Sequence, residues 1–353
     1  MKNLDEINKL LLVNAKENHV LGLLNGKLGL TIYFYHFAKK NKNHKLQELA
    51  DHLVGEIFEK SREARLEADF ENGLAGIAFG ITYLVNNDFV DADLNETLSE
   101  LDDRIFRFLD DQRTNLQANL RNGILGYLIY SLDRLKSSIE SGNNSNIYIF
   151  KNLTASLINQ LGKLIEEEKI QDREPQLFNI YWDLPLSLIV LGRAKNLKVN
   201  DSKIDRIIDY LIPNLITLFP SLHSNRLYLL LGIETYLKET DCPELRKYAD
   251  FLIREIDLEL ILNTELKNLN ISVNDGLTGL SLISNRLNEI KGNKELLISD
   301  EKVYQKAIEL EKGGRNEFYD KFKESIGFAS GLTGLAWAIF EIMELNEKSL
   351  KVI

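Results

Sequence analysis

Two kinds of hydrophobic pattern alternate along the chain. In KLQELADHLVGEIFEK the apolar positions Leu46, Leu49, Leu53 and Ile57 recur three or four residues apart with charges between them, the period of a helix with one wet face. LNETLSELDDRIFRFLDD and DCPELRKYADFLIREIDLEL repeat that period. Asn95 is expected to cap the first, and Asp241, Pro243 and Glu244 form a start signal for the second. The other kind is small and apolar all round, as in FENGLAGIAFGITYLV at residues 70–85, which carries Gly73, Gly76 and Gly80. Glycine costs about 1 kcal/mol against alanine inside a helix, so its recurrence requires a compensating contact. Strand-type alternation is nowhere sustained and only 5 prolines occur, which predicts an all-α chain.

The small-residue stretches form a series. Asn-Gly-x-x-Gly at residues 72–76 returns as NGKLG at 25–29, NGILG at 122–126, DGLTG at 275–279 and SGLTG at 330–334. The first glycines are Gly26, Gly73, Gly123, Gly276 and Gly331, with room for two degenerate copies in the wide interval. One is placed at Asp183-Leu184-x-x-Ser187 and the other at Ser224-Asn225-x-x-Tyr228. The repeat then reads as seven helical hairpins, a small-residue helix followed by a charged amphipathic one. Glycines spaced three apart would let helix backbones approach closely, so those helices are assigned to the inside and the charged ones to an outer layer. A closed α/α toroid of seven hairpins is the predicted architecture, with residues 1–353 as one domain; an open solenoid obeys the same local rules. The polar stretches SGNNSN at 141–146 and IEEEKIQDREPQ at 165–176 read as connections within that series.

Before the first glycine of each unit stands Asn25, Asn72, Asn122, Asp183, Ser224, Asp275 or Ser330, all residue types that cap helix N-termini. If the ring closes, seven inner N-termini surround one mouth, and a site belongs there. Trp182, directly before Asp183, either lines that cavity or fills the gap left where the glycines are missing. Arg121 and Arg226 stand near helix starts, where guanidinium can bind carboxylate or phosphate.

The chain is 44% apolar with a net charge of -10, so it can bury a sizeable core and presents no basic field for nucleic acid or an anionic membrane. No segment reads as a signal peptide or a membrane span, which predicts a cytoplasmic protein. The lone Cys242 allows no internal disulfide and leaves any metal site to His, Asp and Glu.

The repeats GLLNGKLGLTIYFYHFAK, ENGLAGIAFGITYL, NDGLTGLSLI and ASGLTGLAWAI resemble the glycine repeats of the LanC-like family, the lanthionine synthetase C-like proteins, over nearly the whole chain. The resemblance implies an α/α toroid and zinc-dependent addition of a Cys thiol to a dehydrated residue of a precursor peptide. It implies as partners that peptide and a dehydratase or other modifying enzyme. It also implies a zinc held by a Cys of the fifth repeat and a Cys-His pair before the first glycine of the sixth, with a His of the fourth as acid/base. This sequence departs from that pattern: Asn274-Asp275 replaces Cys-His, Asp183 stands at the fourth-repeat His, and the fifth-repeat Cys position falls near His223.

Three readings follow. In the first, metal and cyclase chemistry are lost, no cofactor is bound, and the toroid binds a peptide or partner enzyme. The second keeps zinc or another divalent metal on His223, Asp183 and Asp275, with Asn274 beside them, a set suited to harder ions. In the third, Glu71, Asp183 and Asp275 serve as acid and base of a carbohydrate-active toroid. Candidate catalytic residues are Asp183 and Asp275; candidate cavity or peptide-binding residues are Asn25, Asn72, Asn122, Trp182, Arg226, Asn274 and Ser330.

Overall fold

The computed structural model describes residues 2–112, 115–170, 173–266, 272–292, 296, 298 and 325–350, the side chains of 2–3 and 342–350 aside. Among them there is no strand. Seven small-residue helices form an inner ring: α2 (Lys27–Asn41), α4 (Leu74–Asn86), α7 (Ile124–Glu140), α9 (Asp183–Asn196), α11 (His223–Leu237), α14 (Leu277–Lys291) and α15 (Leu332–Leu350). Each packs against the next in that order, and α15 packs back against α2. The toroid is closed.

Outside it lie α3 (His44–Glu63), α6 (Ser99–Asp111), α8 (Asn144–Glu166), α10 (Asp201–Leu215) and α12 (Pro243–Arg254), each facing an inner helix of its own hairpin or a neighbouring one. The return helix expected after α14 falls largely on residues outside the described set. The remaining outer helix, α1 (Lys2–Glu17), packs on α15 and α2. The N-terminal segment therefore covers the last inner helix, a pairing that a simple inner-then-outer repeat does not foresee. It buries Leu4, Ile7, Leu11 and Ala15, and Asn8 accepts a 2.7 Å hydrogen bond from the Tyr33 hydroxyl of α2.

Burial follows the two hydrophobic patterns. α4 buries Leu74, Ala75, Gly76, Ile77, Ala78, Gly80, Ile81, Thr82 and Leu84, nearly its whole circumference, whereas α3 buries the single stripe Leu46, Ala50, Leu53, Ile57 and Ser61. Buried charges tie the layers together where they are paired. Arg134 of α7 bonds the Asp102 carboxylate of α6 at 2.7 Å, and Glu234 of α11 holds Arg246 of α12 and Lys291 of α14, both at 2.9 Å.

One local expectation needs correction and another holds. Asp93, not Asn95, caps the short α5 (Leu94–Thr97), its side chain accepting from the Asn95 N–H. The start signal at Asp241, Pro243 and Glu244 does open a helix: Cys242 takes the N-cap position of α12, with Pro243 at the first helical position.

The glycines also work differently from the expected helix-to-helix contact. Along each clear repeat the preceding loop folds over the helix start. First-turn N–H groups then bond carbonyls seven residues upstream: Leu74 to Glu67 at 2.9 Å, Ile124 to Gln117 at 2.8 Å, Lys27 to Val20 and Leu332 to Ser325 at 2.9 Å. A Cβ on Gly76 would lie 2.1 Å from the Phe70 carbonyl oxygen, and one on Gly279 2.0 Å from that of Val273. The glycines make room for their own loop, whose backbone satisfies the otherwise unpaired N–H groups of the first turn. Gly80 does meet a neighbouring helix, through Leu28 of α2. Gly192 and Gly232 bring α9 and α11 into backbone contact, in the two repeats whose loop glycines are missing.

The polar residues before the first glycine are consequently not N-caps. Gly26, Gly73, Gly123 and Gly276 occupy that position without a side-chain cap, so Asn25, Asn72, Asn122 and Asp275 stand one residue outside. In the degenerate repeats the helices start earlier than expected. Trp182 and Leu222 are the N-cap residues of α9 and α11, which puts Asp183 and Ser224 inside the first turn.

Candidate functional site

The loops before the inner helices meet at one end of the toroid and are stitched together by backbone hydrogen bonds. The first loop bonds the second through Leu24 N–H to Glu71 C=O at 2.9 Å, and the second bonds the third through Phe70 N–H to Arg121 C=O at 2.8 Å. Ala329 of the seventh loop donates to Leu24 at 2.7 Å, and Asn274 of the sixth donates to Ala329 at 3.1 Å. Ile180 of the fourth loop then donates to Asn274 at 2.8 Å. The fourth loop thus bonds directly to the sixth and leaves the fifth, which carries His223, out of the chain of bonds.

Over this framework runs a network of polar side chains. Ser330 donates to Asn25 Oδ1 at 2.9 Å, and Asn25 Nδ2 donates to Glu71 Oε1 at 2.8 Å. Arg121 Nε lies 3.7 Å from the same carboxylate oxygen, and its guanidinium stacks 4.3 Å from the centre of the Tyr181 ring. Asp275 accepts from the Ser272 hydroxyl in its own loop. Burial raises the Tyr181 pKa, the Glu71 charge adds to this, Arg121 opposes it, and Asp275 is close enough to contribute. Residues from the first, second, third, fourth, sixth and seventh loops therefore share one polar surface. Side-chain oxygens of Asn72 and Asn274 are buried there without a hydrogen-bond partner among the described residues.

Of the residues expected at the mouth, Asn25, Asn274, Asp275 and Ser330 belong to this network or to its backbone framework. Asn72 and Asn122 flank it, with Asn122 exposed and its N–H bound to Asn119 Oδ1 at 3.0 Å. Trp182 is only 1% exposed and fills the core beneath the fourth loop. Asp183 is buried near the Tyr228 hydroxyl, whose pKa its charge raises further beyond the effect of burial. Arg226 is buried with its donors on loop carbonyls, 2.7 Å from both Pro220 and Glu255, and it stacks 4.0 Å over Phe219. It braces the fifth loop.

His223 is likewise engaged. Its Nδ1 accepts the Asp257 N–H at 3.0 Å and lies 3.2 Å from Arg226 Nη1, which leaves that nitrogen no room for a metal. Among the described residues no three His, Cys, Asp or Glu side chains gather closely enough to hold a metal ion. His223, Asp183 and Asp275 are not such a group. Cys242 sits at the start of the outer helix α12, 3.8 Å from Glu244 and away from the mouth loops. The residues present do not fit the zinc site that the resemblance implies: an amide and a carboxylate stand where it would require a thiolate and an imidazole.

Tyr181 was not foreseen as a site residue, although NIYWD places it two residues before Asp183. Glu174, inside the connecting stretch 165–176, and Glu265 carry no motif that marks them as functional. Glu174 accepts the N–H groups of Ser221 at 2.6 Å and Leu222 at 2.8 Å; Glu265 accepts those of His223 at 2.6 Å and Ser224 at 3.0 Å. These carboxylates do for α11 what the overlying glycine loop does elsewhere, and no local motif announces them.

A closed α/α toroid with six of its seven inner-helix loops drawn into one polar mouth defines the class of protein. No family model matches the chain, and no curated protein matches it. Among solved structures it is similar to nisin cyclase, with a TM-score of 0.67 over 96% of this chain and 92% of that one at 17% identity. The fold is LanC-like. Among the described residues no helix is long and apolar enough to cross a membrane.

Proposed function

We propose that this chain is a LanC-like protein acting in the maturation of a ribosomally made, lanthionine-type peptide, and that it binds the peptide across the mouth without performing zinc-dependent cyclisation. The observation that carries the reading is the pair Asn274-Asp275 at the position where the family's Cys-His pair would stand, in a mouth that is otherwise a continuous polar network. Amide, hydroxyl, guanidinium and carboxylate groups side by side offer both donors and acceptors to an extended backbone, and the Tyr181 face offers a surface for a side chain. The peptide class comes from the likeness to an enzyme whose name is nisin cyclase. Without a thiolate-binding metal the protein would serve as a binding partner of a dehydratase or another modifying enzyme, in the cytoplasm and with no cofactor.

Metal analysis of untagged protein, purified without chelator, tests the chemistry. Far less than one zinc or manganese per chain is expected, in wild type and in Asp275→Ala and His223→Ala alike. Near-stoichiometric metal that disappears in those variants would overturn the reading in favour of a re-liganded cyclase. Arg121→Ala, which removes the stack on Tyr181 and the charge beside Glu71, is expected to weaken binding of the precursor peptide about tenfold in a titration, the scale of one charge-assisted contact.

A further inference from the structure

Beside the mouth, between the second and third loops, lies a second concavity of about 530 Å³ lined by Glu67, Asp69, Phe108, Leu116, Asn122 and Tyr127 among others. Among the described residues no Lys or Arg lines it. Glu67 is exposed and has no cationic partner among the described residues. Asp69 uses Oδ1 to accept the N–H groups of Asn72 at 2.7 Å and Gly73 at 3.2 Å, and Oδ2 takes no part in that cap. An acidic pair alone would mean little. The second observation is Tyr127, a wall residue only 1% exposed, whose hydroxyl has no hydrogen-bond partner among the described residues. Burial raises its pKa, and the charges of Asp69 and Glu67 raise it further, so the hydroxyl stays neutral. Leaving a buried hydroxyl unpaired costs about 1–3 kcal/mol, a cost that a ligand supplying the missing partner removes.

We propose that this cleft binds the ammonium or guanidinium group of a basic side chain. Glu67 and Asp69 balance the charge, the Tyr127 hydroxyl accepts an N–H, and the alkyl stem lies against the half-buried Phe108 and Leu116. Because Asn122 belongs to the cleft and to the mouth rim, a peptide crossing the mouth can place a Lys or Arg here while its backbone lies on the network. Only this choice of a peptide as the source of the cation rests on the proposed function; the cation site itself stands on its own lining.

The test is calorimetric titration of the full chain with three single-residue probes: the Nα-acetyl N-methylamides of lysine, arginine and norleucine. The cationic probes are expected to bind at least about tenfold more tightly than norleucine, as charge-assisted hydrogen bonds require. Glu67→Gln and Tyr127→Phe are each expected to weaken them severalfold, and Arg121→Gln at the mouth to leave them unchanged. Tyr127→Phe removes an unpaired hydroxyl and is expected to fold like wild type, so its loss of binding is not a loss of structure. Equal binding of norleucine, no binding of either cation, binding indifferent to both cleft variants, or displacement by equimolar calcium would overturn the site. Loss in Arg121→Gln alone would also overturn it, while leaving peptide recognition at the mouth intact. Failure of peptide binding at the mouth would leave the single-residue titrations to decide the cleft.

Discussion

Gly76 and Gly279 are among the tightest points of the structure, because a methyl group at either would press on a carbonyl oxygen of its own loop at about half the normal contact distance. A backbone carbonyl cannot swing aside as a side chain can, so alanine there must move the loop or the helix start. Gly76→Ala is expected to destabilise the protein by about 1–3 kcal/mol or more, the range seen for overpacked sites. Gly55, exposed on α3 with nothing within 4 Å of its Cβ position, supplies the opposite case. Gly55→Ala is expected to stabilise by about 0.5–1 kcal/mol, since it only restricts the unfolded chain and favours the helix. Urea midpoints of the two variants decide the matter; equal effects would show that loop contact is not why the repeat glycines are there.

At the scale of elements, α11 shows how a helix start survives without the glycine loop. Glu174 and Glu265 bring two carboxylates to its first N–H groups, where the helix dipole also favours negative charge. Burial works to raise the Glu174 pKa, but the N–H groups of Leu222 and Ser221 and the Asn225 amide outweigh it and hold the carboxyl below the usual range. A lowered folded-state pKa means that this stabilisation is present above the unfolded pKa, about 4.3, and fades as pH falls through the lower folded value. Glu174→Gln is therefore expected to cost about 1 kcal/mol near neutrality, the scale of a lost cap, and progressively less in acid. Denaturant midpoints of both proteins measured from pH 7 down to pH 3 give the test: a difference that grows on acidification would contradict this account.

For the whole molecule, closure is the decisive property. The helix that covers the seventh inner helix is α1, which packs on α15 and α2. Leu11, fully buried in that contact, is the natural probe. Leu11→Ala is expected to cost about 2–5 kcal/mol, as for other buried leucines, and to lower the midpoint of a single cooperative unfolding transition. A separate early transition with the main one unchanged would mean instead that α1 is an appendage. Closure also explains why residues from six loops can share one polar surface, since an open solenoid would spread the same helix starts along a line.

Much of this was legible in the residues themselves. The helical period and the glycine spacing fix all-α hairpins and seven inner helices, because burial on one face or on all faces leaves a direct trace in which positions are apolar. That Asn274-Asp275 is an amide and a carboxylate, where the resemblance would place a thiol and an imidazole, is likewise a matter of residue type alone. Other features depend on groups far apart in the chain. Glu174 reaches Leu222 across 48 residues and Ser330 reaches Asn25 across 305, and such pairings leave no periodic signal. The same limit applies to the glycines, whose loop and helix contacts look identical in a string of letters, and to Arg226 and His223, which face the fifth loop and not the mouth. The sequence by itself determined which helices are inside and that Asn274-Asp275 stands where the resemblance would place Cys-His; the tertiary structure decided which polar groups meet, because that depends on how the loops pack once the ring has closed.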